Sequence, residues 1–197
     1  MKRYLLTVAL TAVMAVASAQ NEPGTLSVQP KGGFGLATLT NVPKAEMAGV
    51  GMFGGELEYA LKERLSIAAG INFDMLGYSL EDTEGIKDWH TSLNYLAVPA
   101  VVNFYVWKGL AVKAGLQPAL LLSAKQSCKV NGEKLSTTVT SDCNKFDLSI
   151  PIGVSFEFSR VVIDARYLLG LTKVNKEGDK SCRNSVILIT TGYKFKL

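Results

Sequence analysis

The feature that most constrains this chain is a pair of alternating segments that meet at a turn of two residues. Apolar side chains occupy every second position from Phe146 to Phe158, and the same pattern returns from Val161 to Leu171. Only Ser159 and Arg160 separate the two runs. Because successive side chains of a β-strand point to opposite faces, a period of two predicts two antiparallel strands joined by a tight turn. Each run is long enough for a tilted strand of ~9–11 residues that crosses a bilayer.

The same alternation recurs along the chain and predicts eight strands. They cover Ser27–Thr38, Val50–Ala60, Leu65–Tyr78, Leu93–Val106, Leu110–Ala124, Phe146–Phe158, Val161–Leu171 and Ser185–Leu197. Short connections at Leu61–Arg64, Trp107–Gly109 and Ser159–Arg160 alternate with long ones at Leu39–Gly49, Ser79–Thr91, Lys125–Lys145 and Thr172–Asn184. An even strand number with this alternation is typical of outer-membrane barrels. We therefore predict an all-β fold, an eight-stranded antiparallel up-and-down transmembrane β-barrel with short periplasmic turns and long extracellular loops.

The N-terminus has the pattern of an export signal. Lys2 and Arg3 precede an apolar segment from Leu5 to Val16, and Ala17-Ser18-Ala19 fits a small-residue cleavage site. We expect residues 1–19 to form a signal peptide and residues 20–197 to form one outer-membrane β-barrel domain. No later apolar run reaches the ~18 residues of a spanning helix. The expected mature chain carries 19 basic and 17 acidic side chains, which gives no reason to expect a nucleic-acid partner.

Ionisable side chains of both signs lie on the rows opposite the apolar ones. They are Lys31, Glu56, Glu58, Asp74, Lys113, Glu157, Asp164, Arg166 and Lys194. The interior of an eight-stranded barrel is only wide enough for side chains to fill it. We therefore predict that these groups pair with one another in a lumen charge network that seals the barrel. The alternative is that they line a narrow path for ions or small solutes.

Aromatic side chains cluster near one end of the predicted strands. The predicted periplasmic-side girdle contains Tyr59, Phe104, Trp107, Phe156, Phe158, Tyr193 and Phe195. Aromatic residues are enriched where transmembrane strands cross the membrane interfaces, which agrees with periplasmic short turns. Candidates for the opposite girdle are Tyr78 and Trp89.

The three cysteines lie in polar, turn-rich segments. An exported chain meets an oxidising compartment, in which disulfides form and persist. We predict a disulfide between Cys128 and Cys143, with Cys182 left over or exchanging with one of them.

Two motifs invite a chemical interpretation that their context does not support. Gly49, Gly51 and Gly54 match the dinucleotide pattern Gly-x-Gly-x-x-Gly, but they enter a predicted strand and not the helix that the motif requires. We interpret them as small residues that relieve crowding in the barrel. The only histidine, His90, has Thr91 as its neighbour, and adjacent strand residues point to opposite faces. We expect an exposed loop histidine and assign no catalytic, cofactor or metal residue.

Several segments, taken in order, resemble a known family. They are Leu93-Asn94-Tyr95-Leu96 followed by Val98-Pro99, Gly115–Ala124, Asp164-Ala165-Arg166-Tyr167 followed by Gly170-Leu171-Thr172, and the closing Gly192-Tyr193-Lys194-Phe195. The mature chain resembles the outer-membrane β-barrel domain common in Bacteroidota, often called porin-family or PorT-family. The resemblance implies an eight-stranded barrel and no common activity. Ala97 departs from the family, which often carries an acidic residue there that faces the lumen.

These observations favour a non-enzymatic integral protein of the bacterial outer membrane with a sealed, charge-paired lumen. Its surface loops would serve envelope integrity, adhesion or partner binding, and the resemblance also admits an accessory role in secretion. The alternative is a small-solute, porin-like channel, followed by a lipid-modifying enzyme or a soluble lipocalin-like carrier. Expected partners are outer-membrane lipid and lipopolysaccharide, the barrel-assembly machinery during insertion, and an extracellular or secretion-system protein. No cofactor is expected.

Overall fold

The computed structural model describes residues 22–42, 45–80, 86–130, 133–176 and 182–197. The predicted signal peptide lies outside these residues. Twelve strands occur among the described residues: β1 Leu26–Thr40, β2 Ala45–Glu46, β3 Ala48–Lys62, β4 Leu65–Leu80, β5 Ile86–Ala97, β6 Ala100–Trp107, β7 Leu110–Val130, β8 Glu133–Thr138, β9 Phe146–Phe158, β10 Val161–Gly170, β11 Arg183–Tyr193 and β12 Phe195–Lys196. No helix in this part of the chain is long and apolar enough to cross a membrane.

The strands form one antiparallel sheet that closes on itself. The order runs from β1 through β3, β4, β5, β7, β9 and β10 to β11, and β11 pairs again with β1. This closing seam extends from Lys31 opposite Gly192 to Thr40 opposite Arg183. Because β6 continues the course of β5 between β4 and β7, the ring has eight members. The predicted eight-stranded antiparallel fold is confirmed.

The strand boundaries differ from the prediction mainly at the loop end. The predicted fourth strand is divided at Val98 and Pro99 into β5 and β6, since proline has no N–H to donate to a sheet. The predicted Lys125–Lys145 loop is largely a hairpin, in which the extended β7 pairs with β8. Apolar alternation did not reveal this hairpin, because a β-ribbon outside the membrane has no need of an apolar face.

The barrel is inverted relative to a soluble protein, with apolar side chains outside and polar side chains inside. Ile71, Ile163 and Ile189 on the outer face are 61%, 54% and 48% exposed, whereas inward Asp164 is 1% exposed. A bilayer supplies apolar surroundings for the outer row. The soluble alternative, a lipocalin-like carrier, would need the opposite orientation, with the apolar rows facing the interior of the barrel.

The interior is divided into two halves along the barrel axis. Charged side chains fill the half nearest the tight turns, whereas the half nearest the loops contains an apolar layer. Its members include Leu39, Met52, Leu76, Leu93, Tyr95, Leu121, Leu168, Val174, Val186 and Leu188. The loop half of the lumen therefore contains a layer of packed hydrophobic side chains, a feature that was not predicted from the sequence.

Candidate functional site

A central ion cluster occupies the middle of the lumen. Arg166, on β10, donates from Nε and Nη2 to the two oxygens of Asp164 at 2.8 Å each. Lys113 Nζ lies 2.8 Å from Asp164 Oδ2, and Arg166 Nη1 lies 3.4 Å from Glu56 Oε1. Lys31 bonds to the same Glu56 oxygen. Each carboxylate in this cluster is therefore shared by two cations that come from different strands.

A turn-end ion cluster lies below the central one. Lys194 Nζ bridges two carboxylates, at 2.5 Å from Glu157 Oε2 and 2.9 Å from Glu58 Oε2. Glu58 also accepts hydrogen bonds from Tyr105 Oη at 2.7 Å and Ser66 Oγ at 2.5 Å. Charge-assisted bonds of this kind are the strong ones in protein interiors. Lys194, which lies between β11 and β12, thus links the C-terminal end of the chain to β3 on one side and to β9 on the other.

Asp74 lies apart from these ion pairs. Its Oδ2 accepts a hydrogen bond from Gln117 Nε2 at 2.9 Å, and its Oδ1 has no hydrogen-bond partner. The structure therefore brings eight of the nine predicted luminal charges into two clusters and leaves the ninth with a neutral partner. None of the nine is more than 8% exposed.

The seven aromatic side chains of the predicted periplasmic-side girdle all lie on the outer face at the turn end. Their exposure ranges from 38% for Phe156 and Phe158 to 68% for Trp107. Tyr193 and Phe195 contact each other, with ring centroids 4.7 Å apart. The expectation for Tyr78 was wrong: it pairs with buried Thr91 and packs against the apolar layer inside the barrel.

No disulfide joins Cys128, Cys143 and Cys182 in this structure, and the pairing of Cys128 with Cys143 stays a prediction. Cys128 lies opposite Leu135 in the β7–β8 hairpin, whereas Cys143 lies opposite Asn175 in the last loop. The hairpin, absent from the prediction, gives the two cysteines different strand partners. Burial, and then the neighbouring Asp142 carboxylate, raises the pKa of the Cys143 thiol above its ordinary value.

The remaining motifs have structural roles. A Cβ at Gly54 would come within 2.3 Å of the Ile71 carbonyl oxygen, so the close approach of β3 and β4 at this position requires glycine. His90 is in β5 and not in a loop, and its Nδ1 lies 3.3 Å from Ser79 Oγ on the outer face. Within the described residues, no group of three or more His, Cys, Asp or Glu side chains could hold a metal ion.

Hydrogen bonds join two loops at the loop end. Asn144 donates from Nδ2 to the Lys173 oxygen at 2.9 Å, and its backbone N–H donates to the Val174 oxygen at 2.7 Å. Four exposed basic residues lie close to these bonded segments in the chain, and we call them the basic platform: Lys145, Lys173, Lys176 and Arg183. The role of Asn144 was not predicted, because nothing in a single sequence indicates contact between distant loops.

A closed β-ring with a lipid-compatible outer face, a charged interior and long loops at one end defines an integral outer-membrane β-barrel protein. Residues 18–176 match the family described as outer membrane protein beta-barrel domain, and the chain belongs to this family. The tight turns are accordingly periplasmic and the loops extracellular. No curated protein matches the chain.

Solved structures share this fold at low sequence identity. The attachment invasion locus protein Ail of Yersinia pestis is 17% identical, with a TM-score of 0.53, and the match covers 88% of this chain and all of Ail. Neisserial surface protein A is also 17% identical, with a TM-score of 0.50, and the match covers 86% of this chain and 97% of that protein. A second structure of Ail contains the heparin analogue sucrose octasulfate, with 16% identity, a TM-score of 0.53 and the same coverage as the first Ail structure.

Proposed function

We propose that this protein is a non-enzymatic envelope or adhesion barrel with a sealed lumen, and that its extracellular basic platform binds an anionic partner. The observation that carries the proposal is the division of charge between interior and surface. Luminal cations are buried and paired with carboxylates, whereas the cations of the basic platform are exposed. Exposed cations are therefore available to a partner at the loops, whereas the luminal cations are already engaged by carboxylates.

Support for a sealed lumen comes from burial and pairing together. The nine predicted luminal charges and Asp147, which is 5% exposed, are buried in a lumen that the side chains of an eight-stranded barrel fill. Unpaired charge in such a space is costly, so paired clusters are the stable arrangement. The apolar layer, with Leu93 and Leu188 each 1% exposed, adds a second barrier above the ion clusters.

Support for an anionic partner comes from the preorganised loops. The Asn144 hydrogen bonds hold the last two loops together before any partner arrives, which lowers the ordering cost of binding. Sulfated sugars are one anionic class, and Ail has been crystallised with a heparin analogue. We propose an anionic surface polysaccharide as the partner class for this chain.

The absence of enzymatic activity is also a proposal, and one contact bears on it. Ser79 Oγ lies 3.3 Å from His90 Nδ1, so Ser79 is the hydroxyl that a histidine base would have to activate in a lipid hydrolase. We expect the purified barrel to release no fatty acid from phospholipid vesicles, and Ser79→Ala to behave as the wild type. Release that disappears in Ser79→Ala would establish a lipid hydrolase instead.

Single-channel recording in a planar bilayer tests the sealed lumen. The refolded, heat-modifiable protein should show no discrete openings. Reproducible openings would instead identify the small-solute channel, with the luminal charges lining water. We also propose that residues 1–19 are removed on export, which the mass of the protein from outer-membrane fractions tests. An accessory role in secretion is a further proposal.

The platform is tested by binding to immobilised heparin. The double variant Lys145→Gln and Lys173→Gln should bind about five- to tenfold more weakly, because each exposed charge contact contributes up to ~1 kcal/mol. The matched control, Lys62→Gln with Lys108→Gln, removes two exposed cations at the periplasmic end and should bind normally. Equal loss of heparin binding in both double variants would indicate that heparin is attracted by the net charge of the protein. That result would contradict binding at the basic platform.

A further inference from the structure

A cavity of about 270 Å³ lies at the extracellular end of the lumen. Barrel strands contribute Leu39, Tyr78 and Leu93 to its lining, and the loops contribute Val139 and Val174. Leu39, Leu93 and Val174 also belong to the apolar layer. The cavity therefore lies above that layer and shares no residue with either ion cluster.

One buried hydroxyl group in the cavity lining has no partner. Thr91 lines the cavity and is 3% exposed, and its Oγ1 makes no hydrogen bond. Thr91 and Leu93 both lie on the inward face of β5, which places the Thr91 side chain in the cavity wall. A buried hydroxyl without a partner is costly. A molecule in the cavity that supplied a donor or an acceptor would remove that cost.

The charge of the lining restricts what could bind. Among the described residues that line the cavity, Asp142 is the only one with a charged side chain. The carboxylate of Asp142 acts on neighbouring Cys143 more strongly than the ammonium of Lys176 does, so an anion such as a fatty acid or a phosphate is disfavoured. A neutral or positively charged molecule meets no such penalty. The size is restricted as well, because the volume lies just below the ~300–1,000 Å³ that is usual for drug-sized ligands.

We propose that this cavity is a binding site for a small, mostly apolar molecule of about ten to fifteen non-hydrogen atoms whose polar group is neutral or cationic. The apolar body packs against Leu93, Val139 and Val174, and the polar group hydrogen-bonds to Thr91. This site does not depend on polysaccharide binding at the basic platform, because the lysines of that platform do not line it.

The cysteines provide a direct test with the full-length barrel in phospholipid bilayers. Cys143 and Cys182 line the cavity, whereas Cys128 does not and serves as an internal reference. Indole, tryptamine and indole-3-acetate are three probes with one ring system and different charge. Alkylation by N-ethylmaleimide is measured at each cysteine by peptide mass as a function of probe concentration, which also yields the dissociation constant.

Tryptamine and indole should slow alkylation of Cys143 and Cys182 about tenfold at ten times their dissociation constants, because only the unoccupied fraction reacts. Alkylation of Cys128 should not change. Indole-3-acetate should have a dissociation constant at least about tenfold higher than that of tryptamine, because its carboxylate would lie near the negative charge of Asp142. Equal protection at all three cysteines, no protection, or equal protection by the acid and the amine would overturn the proposal.

Variants separate binding from folding. Val139→Trp should fill the cavity and abolish protection by tryptamine, whereas Leu135→Trp, at a 52% exposed position of the neighbouring hairpin, should leave it unchanged. Thr91→Val should weaken indole binding about fivefold through loss of one hydrogen bond. The heat-dependent gel shift verifies that each variant is folded. Undiminished protection in folded Val139→Trp would place the probes elsewhere and overturn the site.

Discussion

At the scale of single residues, Arg166 determines whether the central ion cluster is balanced. Arg166→Ala would leave Asp164 with Lys113 alone and remove one of the two cations beside Glu56. Breaking a buried ion pair by removing one partner costs ~3–5 kcal/mol. We expect a correspondingly lower free energy of unfolding, measured by urea titration in phospholipid bilayers. The control Arg160→Ala truncates an exposed arginine in a turn and should change stability by less than ~0.5 kcal/mol. Equal unfolding midpoints for the two variants would contradict the pairing.

At the scale of elements, the seam between β1 and β11 depends on glycine. A Cβ at Gly35 would come within 1.9 Å of the Ile187 carbonyl oxygen, which is backbone and cannot move aside. The strands would have to separate, so Gly35→Ala should cost at least ~1–3 kcal/mol and reduce the heat-modifiable folded fraction on gels. Gly32→Ala is the matched control in the same strand, because its nearest contact, the Met52 oxygen, is 3.5 Å away. A Gly35→Ala barrel that closes as well as Gly32→Ala would show that the seam tolerates a wider spacing.

At the scale of the whole molecule, the assignment of inside and outside decides how the barrel lies in the membrane. Ile189 faces outward midway along β11 and is 48% exposed, and Tyr193 is on the same face near the periplasmic end. Arginine on the lipid face costs ~2–4 kcal/mol at the midplane and ~0–1 near an interface. Ile189→Arg should therefore fold into bilayers much less efficiently than Tyr193→Arg, as measured by the heat-dependent gel shift. Equal folding of the two variants would mean that Ile189 does not face lipid.

Much of this architecture could be predicted because two physical constraints act locally on the sequence. Strand alternation placed all seven girdle aromatics on the outer face and all nine luminal charges on the inner face. The predictions were wrong at the loop end of the strands, where those constraints no longer act. The position of Tyr78 predicts a residue at the membrane interface, yet its side chain packs inside the barrel. His90 and the β7–β8 hairpin lie beyond the apolar band, where main-chain hydrogen bonds alone extend the strands.

The sequence by itself determined the class of protein, because a bilayer requires an apolar row at every second position and a fully antiparallel closed ring requires an even number of strands. Only the tertiary structure decided which charges meet. Glu56 and Arg166 are far apart in sequence, and they share a cluster because closure brings β3 and β10 to the same level of the lumen. The same holds for the loop-end cavity, whose lining from strands and loops has no common sequence signal. Period-two alternation specifies a face for each side chain, whereas partners across the lumen depend on the register and curvature of the whole ring.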